Sequence, residues 1–340
     1  MGELFRRDVA QELIVYNIWK HQTLTFAIKE SPMTCSVVIP AFNEEQNIAE
    51  IHNRLSGILA SLGCEHEIIF VDDGSTDNTL KEIKELSNRD KNVKYVSFTR
   101  NFGHEAASTA GLDASTGDCV ILMDADLQDP PELIPRMIEA WKNGSQLVYA
   151  KRKKRFGESF FKRTSANIFY RLLNVLSESK IPLDTGDFRL MDRCLVNDFL
   201  KCREQNRFVR GLTAWVGYKQ TAIEFDRPER HAGRTKYNPI RLILLSLDVI
   251  TGFSLVPLRI VIFSGFLISM ISMVITITVV LQKLFFNLAL PGYALLASGL
   301  FFLGGVQIFF LGVIGEYVGK IIRQTQQRPL YLVREMNTSK

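Results

Sequence analysis

Four aspartates that could bind a divalent cation fall in two short segments of the sequence. Asp72 and Asp73 follow one apolar run, while Asp124 and Asp126 follow another as an Asp-x-Asp pair, with Gln128 close behind. Carboxylate and amide oxygens are ligands that Mg²⁺ or Mn²⁺ accepts in proteins, and substrate phosphates commonly complete the shell. Four carboxylates at one point would repel one another without a cation. These residues therefore indicate metal-assisted chemistry on a phosphorylated ligand.

The elements that must position these aspartates are predicted by alternating apolar and helix-patterned segments. The predicted strands are 35–41, 67–71, 93–98 and 118–123, and the predicted helices are 44–62, 76–88 and 104–114. This order is typical of βαβ units with a parallel sheet. Ligands of such sheets bind at the carboxyl ends of the strands. Both aspartate pairs, and the polar residues 43–45, fall at these ends.

Other motifs narrow the class of site. No G-x-G-x-x-G or G-K-[ST] segment occurs, which argues against the usual dinucleotide-binding and P-loop folds. An isolated Asp-x-Asp after a strand is more typical of a turn or a helix cap. The second aspartate pair on a neighbouring loop favours a ligand site. His104, in the segment NFGHE, is interpreted as a structural residue at the start of a helix.

Two uncharged runs, 260–282 and 293–315, predict membrane-spanning helices. At 1.5 Å per residue each reaches roughly 35 Å, enough to cross a hydrocarbon core of about 30 Å. A turn signal at Pro291-Gly292 lies between them, so the two helices form a hairpin with both flanks on one side. Lys and Arg are concentrated in those flanks, which predicts that both termini lie in the cytoplasm at the cell (inner) membrane. Two buried core helices, the alternative, would rarely stay uncharged over such lengths.

The chain divides accordingly. The predicted parts are an extension (1–33), a soluble α/β domain (34–236), an amphipathic juxtamembrane helix (237–256), two spans (257–282 and 293–315) and a cytoplasmic tail (316–340). The juxtamembrane helix would lie along the membrane plane, or alternatively pack on the soluble domain. The five cysteines show no C-x-x-C spacing, which argues against a zinc site or disulfide framework. The first thirty residues are too charged for a signal peptide.

The net charge of +5 conceals a segregation of charge along the chain. Acidic residues dominate 1–150, whereas basic residues dominate 151–241, beginning with the cluster KRKKR at 151–155. Basic residues interleaved with aromatics beside membrane spans favour anionic lipid and a lipid phosphate over nucleic acid. The sequence therefore predicts membrane lipids as partners and no nucleic acid.

Three motifs and the two spans together resemble a known family. The segments VVIPAFNEEQNI, IIFVDDGSTDNT and ILMDADLQDPPE, followed by the spans, are similar to membrane-anchored glycosyltransferase family 2 enzymes with a GT-A fold. The subgroup resembled is the polyisoprenyl-phosphate glycosyltransferases, which includes GtrB-type bactoprenol glucosyltransferases and dolichol-phosphate mannose synthase. The segment EYVGKIIRQTQQRPLYLV resembles the tail of the bacterial members. The resemblance, over 34–333, implies a Rossmann-like, mostly parallel α/β GT-A domain with a C-terminal two-helix transmembrane hairpin.

The resemblance also implies a role for each matching residue. The sugar nucleotide would be bound by Pro40, Asn43, Glu44, Asp72, Asp73 and Asp124, and by Arg234 and Lys236 of a mobile loop. The metal, Mg²⁺ or Mn²⁺, would be bound by Asp124, Asp126 and Gln128. The catalytic set would be Asp126, Asp187 as base or acceptor-positioning group, and Arg152 and Arg163 on the acceptor phosphate.

The implied reaction is the inverting transfer of a hexose to undecaprenyl phosphate or another polyprenyl phosphate. The resemblance favours glucose as the hexose and UDP-glucose as its donor. A phosphate monoester has a second pKa of about 6, so the acceptor arrives largely ionised and needs little help from a base. The harder task is to neutralise charge on the leaving nucleotide diphosphate, which a metal ion does.

Several alternatives stay open at this point. GDP-mannose, UDP-galactose and UDP-4-formamido-arabinose are rival donors. A processive polysaccharide synthase would need a Q-x-x-R-W motif, from which the residues at 205–208 depart. A non-catalytic membrane scaffold is opposed by the intact Asp-x-Asp. The oligomeric state is also open at this point; the resemblance implies a homo-oligomer through the membrane anchor as one alternative.

Overall fold

One mixed β-sheet forms the centre of the protein. The computed structural model describes residues 33–152, 185–205, 207–225, 256–286 and 292–338. Within these residues the strands are β1 (Thr34–Ala41), β2 (Glu65–Asp72), β3 (Val93–Phe98), β4 (Cys119–Leu122), β5 (Leu147–Arg152), β6 (Thr185–Asp192), β7 (Gln220–Phe225) and β8 (Val333–Met336). Their order across the sheet is β7-β5-β6-β4-β1-β2-β3-β8.

The parallel part of the sheet is the part that the apolar runs predicted. β1 pairs in parallel with β2 and β4, and β2 pairs in parallel with β3. These central strands are buried along nearly their whole length. Continuous apolar runs of this kind suit parallel strands that are covered on both faces.

Eight α-helices accompany the sheet in the described residues. They are α1 (Ile48–Ser61), α2 (Thr79–Arg89), α3 (His104–Ala114), α4 (Ile134–Lys142), α5 (Arg193–Lys201), α6 (Val209–Trp215), α7 (Val256–Phe286) and α8 (Tyr293–Thr325). α1 buries Ile48, Ile51, Leu55 and Leu59, the spacing of a single helix face. α3 lies so close to the sheet that a Cβ on Gly111 would be 2.1 Å from Val38 Cγ1. Only glycine fits there.

β6 is an antiparallel strand inside the sheet. It runs antiparallel between β4 and β5, while β5 and β7 pair in parallel. In the β4–β6 register Leu122 lies opposite Arg189. Continued by two residues, this register sets Asp124 beside Asp187. The sheet was predicted to be mostly parallel, and β6 is an antiparallel strand inserted into it. This strand places the side chain of Asp187 at the carboxyl end of β4.

The two uncharged runs form the long helices α7 and α8. Windows of 18 and 24 residues, Leu258–Ile275 and Phe302–Thr325, are apolar enough to cross a membrane by length and composition, and neither is buried inside the protein. The tail differs from the predicted separate segment 316–340. α8 continues past residue 315 to Thr325, and the chain then returns as β8, antiparallel to β3. The predicted extension 1–33, except Met33, and the predicted helix 237–256, except Val256, lie outside the described residues.

Candidate active site

A histidine and two aspartates from three separate elements meet at the carboxyl edge of the sheet. His104 begins α3, Asp124 follows β4, and Asp187 lies in β6. His104 Nε2 lies 3.6 Å from Asp124 Oδ1 and 3.4 Å from Asp187 Oδ2. One ligand atom of each residue lies within 4.8 Å of the others, which is a spacing that could hold a metal ion.

Asp73 places His104 at this point. Its buried carboxylate accepts hydrogen bonds from Phe102 N at 2.7 Å, Gly103 N at 2.9 Å and Asn101 Nδ2 at 2.9 Å. Gly103 has φ = 101°, a conformation that glycine adopts readily and that lets the chain turn into α3. Burial raises the pKa of Asp73, although the two backbone hydrogen bonds oppose that shift. Asp73 was predicted to bind the nucleotide. In the structure its hydrogen bonds are made within the chain, and they fix the loop before His104.

The Asp-x-Asp turn is tightly folded by its own hydrogen bonds. Asp124 N donates to Asp129 Oδ2 at 3.3 Å, and Gln128 N donates to Asp126 Oδ1 at 3.1 Å. Leu127 takes φ = 59°, which is rare for a non-glycine residue and is concentrated at functional sites. Gln128 is 6% exposed, and its Oε1 is buried with no hydrogen-bond partner in the described part of the chain. Such an orphaned oxygen fits a ligand that completes its bonding.

Asp187 is held by arginines. Arg210 Nε donates to Oδ1 and Arg210 Nη2 to Oδ2, each at 2.7 Å, which is a bidentate pair. The fully buried Arg189 donates to the Asp187 backbone carbonyl and to Thr213 Oγ1. Burial by itself would raise the pKa of Asp187, but the hydrogen bonds from Arg210 and His104 outweigh it and hold that pKa well below its usual range. Asp187 therefore stays ionised, which favours the positioning role over the base role of the two predicted for it.

The charged groups around His104 and Asp124 shift the pKa values of both residues. Desolvation alone would lower the pKa of His104, but the hydrogen bond to Asp187 and the charge of Asp124 raise it to about 9. Desolvation raises the pKa of Asp124; the positive charge of His104 opposes that shift, and the negative charges of Asp187 and Asp126 add to it. Without a metal the protonated His104 partly offsets the charge of Asp124, and a divalent metal ion bound through the neutral imidazole would replace that positive charge. The residues present, with Gln128 beside them, fit a divalent metal ion.

The residues predicted to bind the nucleoside lie at the same edge of the sheet. Asn43, at φ = 57°, accepts a hydrogen bond on Oδ1 from Thr76 N at 2.9 Å, and Glu44 N donates to Thr79 Oγ1 at 2.8 Å. These bonds join the loop after β1 to the loop after β2. Asp72 is bonded within the chain by Ser97 Oγ and Ser75 N. Pro40 lies within β1, opposite Val71 of β2.

The basic residues predicted for the phosphates fall largely beyond the described structure. Arg163, Arg234 and Lys236 lie outside the described residues. Arg152 ends β5, where its backbone pairs with Phe225 of β7. Their roles stay predictions.

Two residues in this cluster were not predicted to belong to it. His104 is in the metal-competent cluster, although its place in the sequence indicated a structural helix start. Arg210 pairs with Asp187, although it was one basic residue among many in its segment. The available signal was position: NFGHE follows β3, so His104 leaves the same carboxyl edge as the two aspartate pairs.

Comparison with known proteins identifies the family. The model of Glycosyl transferase family 2 matches residues 36–200. The uncharacterized glycosyltransferase YkcC of Bacillus subtilis (strain 168) is 45% identical over 88% of this chain and 93% of its own length. The chain belongs to glycosyltransferase family 2. A bactoprenol glucosyl transferase of Shigella phage SfX is 42% identical to this family 2 enzyme over 89% of the chain and 99% of its own length.

Similarity to solved structures is more distant. The crystal structure of glucosyl-3-phosphoglycerate synthase from Mycobacterium tuberculosis, in complex with Mn²⁺, UDP-glucose and phosphoglyceric acid, is 25% identical to this family 2 enzyme. The match covers 64% of this chain and 78% of that chain, with a TM-score of 0.44. The family model and the curated relatives confirm the resemblance expected from the motifs and the assignment as a glycosyltransferase, and the mixed sheet with its helices agrees with the expected α/β GT-A class. The roles of individual residues stay predictions, because none of these similarities names a residue.

Proposed function

We propose that this family 2 glycosyltransferase transfers a hexose to a polyprenyl phosphate with inversion at the anomeric carbon. The leading candidate for the hexose is glucose, with UDP-glucose as the donor. The observation that carries the proposal is the His104–Asp124–Asp187 cluster at the carboxyl edge of the sheet, beside the Asp-x-Asp turn. The acceptor is suggested by the relatives named bactoprenol glucosyl transferase.

The divalent metal would be held by His104, Asp124 and Asp187, with Asp126 and Gln128 from the turn. When bound, it would neutralise charge on the leaving nucleotide diphosphate. We favour Mn²⁺ over Mg²⁺ for this site, because Mg²⁺ is usually bound through oxygen ligands and waters and one candidate ligand here is an imidazole.

The protein need not supply a strong base. The acceptor phosphate is largely ionised near neutral pH and can attack the anomeric carbon directly. Asp187, bonded by Arg210 at two oxygens, keeps its negative charge and orients neighbouring groups rather than taking a proton. In this proposal Arg152 and Arg163 bind the acceptor phosphate, while Arg234 and Lys236 contact the donor phosphates.

The acceptor's lipid chain requires access to a membrane. In the part of the chain that the structure describes, α7 and α8 are long and apolar enough to cross one; Lys320 and Arg323 lie near the end of α8, and Arg328 follows it. By the positive-inside rule we propose that this end, and with it the active site, lies on the cytoplasmic face of the cell membrane. Nucleotide sugar would reach the site from the cytosol and polyprenyl phosphate from the bilayer.

The proposal is tested on the full chain in nanodiscs with undecaprenyl phosphate and radiolabelled sugar nucleotides, each offered singly. We expect one labelled lipid, a monoglycosyl phosphate released by mild acid, to form with UDP-glucose and Mn²⁺. EDTA should abolish its formation, and added Mn²⁺ should restore it.

Other outcomes separate the alternatives. A preference for GDP-mannose or UDP-4-formamido-arabinose would change the donor and keep the reaction class. Label in polymer would favour a processive synthase. No transfer from any donor, in a chain that still binds UDP, would favour a non-catalytic scaffold.

A further inference from the structure

The C-terminal tail, residues 327–338, contacts the segment of the catalytic domain that leads into His104. β8 pairs with β3 at the edge of the sheet. Directly before β8, Tyr331 lies over Phe98, the last residue of β3, and the loop 99–103 then runs from Phe98 to His104. The part of the chain that follows the membrane helix α8 therefore contacts the active-site loop at its root.

We propose that Tyr331 is a positioning residue, which fixes the loop 99–103 and so sets His104 at the metal site. This inference rests on the function proposed above. As a positioning residue, Tyr331 would not itself contact the reacting groups. It acts through two aromatic neighbours and through the backbone of the loop.

The aromatic contacts form a continuous chain toward the site. The Tyr331 ring stacks on Phe98 with centroids 5.0 Å apart and an interplanar angle of 14°. Phe98 is fully buried and meets Phe102 edge-on at 5.7 Å and 87°. Phe102 N is one of the three donors to Asp73. Displacing the Tyr331 ring would thus free the Phe98–Phe102 packing that supports the turn into α3.

Backbone hydrogen bonds connect the same two segments. Thr99 N donates to Leu332 O at 3.0 Å, and Arg334 Nη2 donates to Thr99 O at 3.0 Å. Thr99 is the first residue of the loop, so both its N–H and its carbonyl are bonded to the tail. The loop is consequently held at its start by the tail and at its end by Asp73.

The Tyr331 side chain is itself fixed from a third direction. Its hydroxyl donates to Asp113 Oδ2 at 2.8 Å, and Asp113 also pairs with Arg203. A cavity of about 920 Å³ lies next to Tyr331, between the tail and the C-terminal end of α3. On its other side the Tyr331 ring packs against the hydrophobic core through Phe98.

A matched control lies at the far end of β8. Glu335 forms an ion pair with Lys84 of α2 at 2.6 Å, at side chains that are more than one third exposed. Glu335→Ala removes a contact between tail and domain without touching the loop 99–103. A role of Tyr331 that is only structural would be shared by Glu335, whereas a positioning role would not.

The experiment measures Mn²⁺ binding, in the presence of UDP, to the full chain in detergent by the electron paramagnetic resonance signal of free Mn²⁺. Removing a residue that hydrogen-bonds to and orients a metal ligand lowers metal affinity about 10- to 100-fold. Tyr331 is farther from the metal site than such a residue, because it acts through the loop 99–103. Tyr331→Ala should therefore raise the Mn²⁺ Kd by a smaller factor, about three- to tenfold. Tyr331→Phe, which keeps the stacked ring, and Glu335→Ala should stay within about twofold of the unaltered protein. Circular dichroism verifies folding, and Tyr331→Leu replaces Tyr331→Ala if the latter does not fold.

Three outcomes decide the inference. An unchanged Mn²⁺ Kd in a folded Tyr331→Ala or Tyr331→Leu protein overturns it, and so does an equal loss in Glu335→Ala. His104→Ala is measured in parallel to separate this inference from the proposed function. If His104→Ala binds Mn²⁺ normally, the proposed metal site itself is wrong; if only the Tyr331 variants bind normally, the metal site stands and the positioning role is refuted.

Discussion

Two carboxylates at opposite ends of the central strands differ in burial and in bonding: Glu67 is 4% exposed, and the Asp124 side chain is 32% exposed. At the amino end of the sheet, Glu67 accepts from Ser36 Oγ and Lys94 Nζ, each at 2.5 Å, and from Thr116 N at 2.7 Å and Thr116 Oγ1 at 2.9 Å. At the carboxyl end, the Asp124 carboxylate faces His104 at 3.6 Å and the negative charges of Asp187 and Asp126.

The pKa shifts follow the bonding. Burial alone would raise the pKa of Glu67, but hydrogen bonds from Lys94, Ser36 and Thr116 lower it. Burial also raises the pKa of Asp124; there the positive charge of His104 opposes the increase, Asp187 and Asp126 add to it, and the net shift stays upward. Four hydrogen bonds from its own chain satisfy Glu67, whereas in the described residues Asp124 faces His104 at the longer distance of 3.6 Å. A partly exposed acid at a sheet edge whose pKa stays raised beside specific charged groups is the better indicator of a ligand site.

The largest effect expected from this contrast is on activity. Asp124→Asn should lower kcat for lipid-linked sugar formation by about 10³, because preorganised charge at the reacting groups contributes effects of that size. Its melting temperature should stay unchanged or rise, because the substitution removes like-charge repulsion. Radiolabel transfer and thermal circular dichroism measure the two quantities.

Asp90→Asn is the matched control for that substitution. Asp90 pairs with His52 at 3.0 Å, away from the cluster at the start of α3. Transfer activity should stay near that of the unaltered enzyme. Equal losses of activity in the two variants would contradict the functional assignment of Asp124.

A smaller effect, and one on stability alone, is expected for Glu67→Gln. Leaving buried partners of Glu67 unsatisfied should cost about 2 kcal/mol in the free energy of unfolding. A loss of that size corresponds to a melting temperature lower by about 4–8 °C for a domain of this size. Transfer activity at a temperature well below melting should be retained. A large loss of activity with an unchanged melting temperature would reverse the contrast between the two regions.

The pH dependence of stability sharpens the same comparison. The pKa of Glu67 is lowered in the folded protein, so its stabilisation is present above the unfolded value of about 4.3 and disappears as pH falls through the folded value. The melting temperature of the unaltered protein should therefore fall more steeply below about pH 4 than that of Glu67→Gln. If the curves of melting temperature against pH run parallel for the two proteins, Glu67 is not the group that causes the loss of stability at low pH.

The sequence predicted the regular part of the fold and missed the parts that depend on distant pairing. β1 to β4 and α1 to α3 follow from buried apolar runs and helix-spaced residues, which are local signals. β8 is a short, largely exposed edge strand with the sequence VREM, so no apolar alternation marks it. β6 inserts antiparallel beside β4, and only the tertiary register sets Asp187 opposite the Asp-x-Asp turn.

The candidate site shows the same division. Asp124, Asp126 and Asp187 were recognisable from acidic residues in motifs, and Gln128 from its place in the turn. His104 and Arg210 gave no comparable signal, because their role arises from where α3 and α6 begin relative to β6. Asp72 and Asp73 lie at the predicted edge, yet their bonds run to Ser97, Ser75 and the loop before α3. Sequence identifies which residue types can do the chemistry, and packing decides which of them are left free for it.

The central claim, a divalent metal held by residues of three elements, is tested most directly by anomalous diffraction. Crystals of the full chain grown with UDP and Mn²⁺ would be measured at the manganese edge. We predict one strong anomalous peak within coordination distance of His104 Nε2 and of carboxylate oxygens of Asp124 and Asp187. A peak bound elsewhere on the chain, for example at Asp72 and Asp73, or no ordered peak beside bound UDP, would contradict it.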